Sequence, residues 1–346
     1  MMVVLVIIGL SALILVHEFG HFLAAKLSGV GVEEFGIGFP PRLFGKKFGG
    51  TLYSLNLLPF GGFVKMSGED GEGEPVKNSF NDAPVSRRSA IILAGVLMNI
   101  VLGWFILTGV FAVGAPEHLM IVDVSPGSPA ETAGLESGDV IIEATIGGVV
   151  LGDPIRSDIF AEKIRDADST ILLTVRRGDE IADFRLEPRE NPPEGEGRLG
   201  VSLADIGFAR EPLGRSIVKG FSVAAETLKL IVVGLWTFFG HLFVSPEVLD
   251  TVAGPVGIFV LGTQAGELGL VYFFQLLAFI SLNLAVLNLI PFPALDGGRF
   301  LMLVFEKIRR KPVPRRVQVA VNTAGFIFLI VLMIIITWSD VSRIVK

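Results

Sequence analysis

Two of the chain's four histidines stand four residues apart, in His17-Glu18-Phe19-Gly20-His21. On a helix, positions i and i+4 share a face, so both imidazoles can reach one ion while Glu18 lies beside the coordination position left open. This H-E-x-x-H pattern suits zinc-assisted hydrolysis, in which the metal acidifies a water to a pKa near ~7 and a carboxylate takes its proton. The chain has no cysteine, so any metal must use nitrogen and oxygen donors. A catalytic zinc takes three protein ligands and leaves one position for water. His118 follows the outer end of an apolar stretch and His241 lies in an ambiguous outer segment, which makes both poor third ligands. Asp296 is the better one, in Asn288-Leu289-Ile290-Pro291-Phe292-Pro293-Ala294-Leu295-Asp296-Gly297-Gly298, although Asp-Gly-Gly is also an ordinary turn sequence. Pro291 and Pro293 remove backbone donors and break a helix, leaving free carbonyls beside the metal that can bond an extended substrate.

The elements that must position these residues are membrane spans. The 346 residues are 51% hydrophobic and 18% charged, with a mean hydropathy of +0.64, well beyond soluble domains. Apolar stretches at 3–25, 90–113, 268–289 and 317–338 each approach the ~20 residues needed to cross a bilayer. No Lys or Arg precedes Lys26, so the first stretch lacks the basic start of a cleaved signal and is expected to remain as a span. Residues 26–88 carry eight basic side chains and 299–316 carry seven with one Glu, which places both loops on the cytoplasmic side. Both termini and the acid-rich insert 114–215 then lie outside. The segment 221–244 contains Glu226, Lys229 and His241, costly in hydrocarbon, and is expected to lie at the interface. With four spans the first and third run in the same direction, so Asp296 comes to the membrane face of the two histidines. No nucleic-acid partner is expected.

The insert shows its own period. Leu119–Val124 and Val140–Thr145 read as strands, Ser128-Pro129-Ala130-Glu131 as a capping box with Pro at the first helical position, residues 157–165 as a helix, and 171–175 with 181–186 as a hairpin. Pro, Gly and Glu at 191–197 read as a linker.

The two signatures, 17–21 and 288–298, in that order at the ends of the first and third spans, resemble those of the site-2 protease family of intramembrane zinc metalloproteases, within the bacterial group of regulator-of-sigma-E proteases. Tyr53-Ser54-Leu55 with Pro59–Met66, and Gly254-Pro255-Val256-Gly257-Ile258, are similar too. Val96, where the family usually has Pro, and Pro40, where a second Gly is common, depart from it. The resemblance implies that His17, His21 and Asp296 bind one Zn2+, that Glu18 is the base, and that Asn288 helps to hold the substrate backbone. It also implies a membrane-re-entrant β-loop at 32–64 and substrates that are single-span membrane proteins already trimmed by an upstream, site-1 type protease. The insert resembles a single PDZ domain, as suited to gating as to peptide capture.

The resulting expectation is a polytopic α-helical protein of the bacterial inner membrane. Four transmembrane helices, an inserted α+β PDZ domain and the β-loop are arranged as 1–113, 114–190, 191–265 (linker and amphipathic segment) and 266–346. Two other readings are a membrane-anchored PDZ scaffold without catalysis and a metalloprotease acting on soluble or misfolded proteins.

Overall fold

The computed structural model describes residues 2–69, 78–152, 154–167, 169–178, 180–193, 195–241, 253–311 and 313–345. In chain order the elements are α1 (Met2–Leu27), β1 (Val32–Phe48), β2 (Thr51–Met66), α2 (Val85–Val113), β3 (Ala115–Val124), α3 (Pro129–Ala133), β4 (Val140–Ile146), β5 (Val149–Gly152) and α4 (Ser157–Arg165). They continue with β6 (Ile171–Arg177), β7 (Glu180–Leu186), β8 (Val201–Phe208), α5 (Leu213–His241), α6 (Pro255–Leu268), α7 (Leu270–Leu289), α8 (Asp296–Arg309) and α9 (Arg315–Val345). Two compact units divide the chain, Met1–Gly109 with Ile217–Lys346, and Val110–Ser216.

The first unit is a helical assembly made from the apolar stretches. Among the described residues five helices, at Met2–Leu27, Val85–Val113, Leu213–Phe238, Leu270–Leu289 and Arg315–Ser342, are long and apolar enough to cross a membrane. Three of the four hydropathic stretches fall within them, and the other, 268–289, begins two residues before its helix. The fifth is α5, whose 29 residues form one continuous helix where an interfacial segment was expected. Gly20 of α1 stands so close to α2 that a methyl group on it would lie 2.5 Å from Ala94 O, the backbone-to-backbone approach that small residues permit between membrane helices. Gly9 lies against Phe273 and Leu277 of α7, and His17 lies against Asp296 beyond the end of that helix, so α1 and α7 run parallel. Ile91 O meets His21 and Asn99 meets His17, which sets α2 antiparallel to α1 and hence to α7, against which Ser281 Oγ donates to Asn99 O at 2.8 Å and Gly103 lies at Ala278 and Leu282. The short α6 runs antiparallel to α1, with Gly262 at Val6 and Gly266 at Met2. Its first N–H groups are held by Asp340 of α9, at 3.2 Å from Gly254 N and 2.8 Å from Gly257 N.

The residues expected as a β-loop form a folded-back sheet. Phe35 pairs with both Tyr53 and Val64, and Gly36 with both Ser54 and Phe63, so β2 doubles back and flanks β1 on two sides. Its returning limb lies beside α1. Ser11 Oγ donates to Pro59 O at 2.6 Å, and Gly61 lies against Ile14. Ile37, Phe39, Leu43, Phe44, Leu55 and Leu57 are exposed apolar side chains.

The second unit is α+β. Its sheet has the order β7-β6-β4-β3-β8, with β5 paired to β4, over a core that includes Leu119, Ile121, Ile141, Phe160, Ile171 and Leu173. Half of the expected capping box is present: Ser128 Oγ accepts from Glu131 N at 3.1 Å, while Glu131 Oε2 accepts from Gly127 N, one residue before the cap, at 2.6 Å. The boundary expected at residue 190 falls inside this unit, because β8 returns past the Pro/Gly segment and pairs antiparallel with β3 from Ala115↔Phe208 to Val124↔Val201.

Candidate metal centre

Residues 2–27 contain no Pro and wind as one helix, which stacks His17 and His21 on a single face. Their rings meet edge to face at 86°, with centroids 4.7 Å apart. The third donor arrives by a different device. α7 ends at Leu289, two residues before Pro291, as expected ahead of a proline that would clash with a helical neighbour. Residues 290–295 turn back under its end with Ala294 at φ 72, and α8 starts at Asp296. A Cβ on Gly297 would strike the carbonyl oxygens of Leu289 and Ile290, and one on Gly298 that of Phe292, so the Asp-Gly-Gly sequence is what allows this turn to close.

Three acceptor atoms then converge. His17 Nε2 lies 3.0 Å and His21 Nε2 3.2 Å from Asp296 Oδ2, and the two nitrogens are 3.1 Å apart. All three residues are buried, and Asp296 Oδ2 has no hydrogen-bond donor. Tetrahedral zinc with bonds of ~2.0–2.1 Å would separate its ligand atoms by about 3.3 Å. The donor set therefore fits a zinc ion, and lone pairs brought this close need a cation between them. His118 lies in β3 of the insert and is not in the metal-binding grouping found among the described residues.

Neighbouring groups fix the tautomers. His21 Nδ1–H donates to Ile91 O at 2.8 Å, which leaves Nε2 as the ligand atom. The Asn99 amide lies 3.4 Å from His17 Nδ1, and its Oδ1 is buried without a partner. Turned end for end, the amide places Oδ1 on His17 Nδ1–H and satisfies both atoms. Gly95 of α2 faces both imidazoles; a Cβ there would reach His21 and His17.

A cavity of about 350 Å³ opens at this point, lined among others by Glu18, Val64, Glu69, Asn288, Asp296 and Arg299. Glu18 is half-buried and its Oε2 accepts from Val64 N on the returning limb of β2 at 3.2 Å. Of the residues expected at the substrate, Asn288 lines the cavity, whereas Pro291 and Pro293 are not among the lining residues. Pro291 is exposed, and Pro293 packs against Gly325 of α9. Arg299, Glu69, Asn99 and Gly95 were not found from the sequence; only Arg299 had a local signal, one helical turn beyond Asp296.

Peptidase family M50 matches the chain over residues 5–332. A Clostridium perfringens protein named as a zinc metalloprotease is 35% identical over 341 residues, covering 99% of this chain and 98% of that protein. Zinc metalloprotease RasP of Shouchella clausii is 30% identical over 423 residues, covering 96% of this chain and 97% of that protein. Regulator of sigma-W protease RasP of Bacillus subtilis is 28% identical over 428 residues, covering 99% and 98%.

Proposed function

The chain belongs to peptidase family M50, and from that premise we propose that it is an intramembrane zinc endopeptidase cutting membrane-anchored proteins in or near their transmembrane segments. The observation that carries this reading is the meeting of His17, His21, Asp296 and Glu18 at one cavity among apolar helices. A bound Zn2+ supplies Lewis acidity there and lowers the pKa of a water toward ~7. His17, His21 and Asp296 hold the ion. Glu18, kept in place by Val64 N–H, takes a proton from the attacking water and returns it to the departing amine. The C–O bond forms first and the C–N bond then breaks, leaving a carboxyl and an amine. Asn288 on the cavity wall is placed to bond the substrate backbone. Free backbone groups at 290–295 and the returning limb of β2 suit an unwound, extended segment, which would add to the sheet as a strand.

Four membrane crossings fit this site better than five. α1 and α7 are parallel and α2 is antiparallel to α7, so an even number of crossings must separate α2 from α7. The 14 residues of α6 reach about 21 Å, short of the ~30 Å hydrocarbon core, so α5 has no partner crossing. We place α5 at the outer interface. Its charged residues Arg215, Lys219, Glu226 and Lys229 suit that position. The basic loops at 26–88 and 299–316 support an orientation with the metal site toward the cytoplasm and the insert outside, in a bacterial inner membrane. We read the insert as a PDZ domain whose last strand is β8. One relative is named as a regulator of sigma-W, and single-span regulatory proteins trimmed by an upstream protease are the proposed substrates.

The test is a set of purified variants in detergent with a single-span substrate. Glu18→Gln should retain zinc and lose cleavage by ~10²-fold or more, while His17→Ala, His21→Ala and Asp296→Ala should lose zinc as well. Substantial turnover by zinc-loaded Glu18→Gln would remove Glu18 from the mechanism.

A further inference from the structure

The metal cavity has a charge balance that the three ligands and the base leave open. Its lining carries three carboxylates, Glu18, Asp296 and Glu69, and one cationic side chain, Arg299. A divalent ion brings the sum to zero. Arg299 stands one turn beyond Asp296 on α8, and Glu69, in the segment after β2, forms an ion pair with it. The same two side chains also line a second polar cavity, of about 370 Å³, shared with Arg88, Glu306 and Asn322. The pair thus forms the wall between the reacting site and that cavity.

We infer that Arg299 stabilises the negative charge that grows on the substrate carbonyl oxygen as water adds to it, with Glu69 acting as the positioning residue that aims the guanidinium. The inference rests on the peptidase reading above. When the C–O bond forms, Glu18 takes the water's proton and the carbonyl electron pair moves onto oxygen, so one negative charge passes from Glu18 to that oxygen while the sum stays at zero; when the C–N bond breaks, that pair returns and the amine leaves with the proton from Glu18. A fixed cation in a site largely screened from water acts on that transient charge far more than on the neutral peptide. Arg299 lines the same cavity as the metal ligands and Glu18. Its α8 backbone is anchored by the Asp-Gly-Gly turn, and its side chain is mostly covered, 35% exposed, against a Glu69 that is 16% exposed. A brace alone would need only opposite charges at the two positions, in either order.

That difference sets the experiment. Arg299→Gln, Glu69→Gln and the exchanged pair Glu69→Arg with Arg299→Glu are compared with the unaltered full chain for zinc content, thermal stability, kcat and KM, and for affinity toward an anionic phosphinic peptide. Arg299→Gln should keep its zinc, lose kcat on the order of 10²-fold with KM within threefold, and bind the phosphinic peptide at least tenfold more weakly. Glu69→Gln should lose no more than about tenfold in kcat. The exchanged pair should recover stability and zinc but not kcat. Recovery of kcat in the exchanged pair, or equal losses in the two single variants, would reduce Arg299 to a brace and overturn the inference. If Arg299→Gln fails to fold, Glu69→Gln and the exchanged pair still decide. A wild-type chain with zinc but no peptidase activity would instead overturn the underlying reading.

Discussion

Replacing Gly95 by Ala should empty the metal site without harming the fold. In a helix interior the change is favourable by roughly 1 kcal/mol, so propensity alone predicts a more stable protein. The added methyl, however, would sit 2.6 Å from His21 Cε1 and 2.8 Å from His17 Cε1, and closer still to His21 Nε2. Ordinary van der Waals contact begins near 3.4 Å, so the His21 ring must withdraw by about 0.8 Å. Metal–ligand distances tolerate only ~0.2 Å, and His21 is also tied by Nδ1 to Ile91 O, so it cannot retreat without giving up that bond. Loss of a group that merely orients a ligand weakens metal binding by ~10–100-fold; displacing two ligands together should reach the upper end of that range or pass it. The assay is zinc per chain and the dissociation constant against a competing chelator, beside the thermal transition of the same sample. Gly109→Ala in the same helix is the control, since a Cβ there meets nothing within 4 Å; it should keep zinc and gain slightly in stability. Gly95→Ala with full zinc and a dissociation constant within threefold of wild type would refute the geometry.

Three further outcomes are expected. Asn99→Ala should weaken zinc binding by about tenfold, because His17 loses the group that fixes its tautomer, as measured by the same chelator competition. Arg88→Ala should lower stability by roughly 3 kcal/mol, since it leaves Glu306 without its bidentate partner at 2.9 and 3.1 Å; a second change, Glu306→Leu, should restore much of the thermal stability. Single cysteines at Asp82 and Ser169, in a chain that otherwise has none, should be reached by an impermeant reagent from the inner and outer faces of the membrane respectively, and the reverse pattern would invert the proposed orientation.

Chemistry encoded within a few residues was legible in the sequence. The i, i+4 spacing fixes the two imidazoles on one face whatever surrounds them, and the Asp-Gly-Gly turn beside two prolines announces a broken helix near a functional group. The insert's strands and the N-cap at Ser128 were legible for the same reason, since period and cap are local. Pro291 and Pro293 end the helix, as their rings require; Pro291 is exposed and Pro293 packs on Gly325 of α9, about thirty residues away, a placement that depends on packing far along the chain.

What stayed hidden depended on segments far apart in the chain. β8 follows a Pro/Gly stretch that reads as the end of a domain; only its pairing with β3, from Ala115↔Phe208 to Val124↔Val201, makes it part of the sheet. Gly95 and Asn99 lie in an apolar run whose sequence gives no sign of polar work, and their task exists only once α2 crosses α1 at Gly20. The family resemblance drew notice to Val96, which is buried in the helix packing, while Gly95 and Asn99 nearby are the residues that touch the metal ligands. A motif thus identifies the atoms that do the chemistry, but the bond angles, tautomers and charge balance around them are set where helices cross. For this chain the informative substitutions therefore lie on α2 and α8, at Gly95, Asn99 and Arg299, and not in the two signatures themselves.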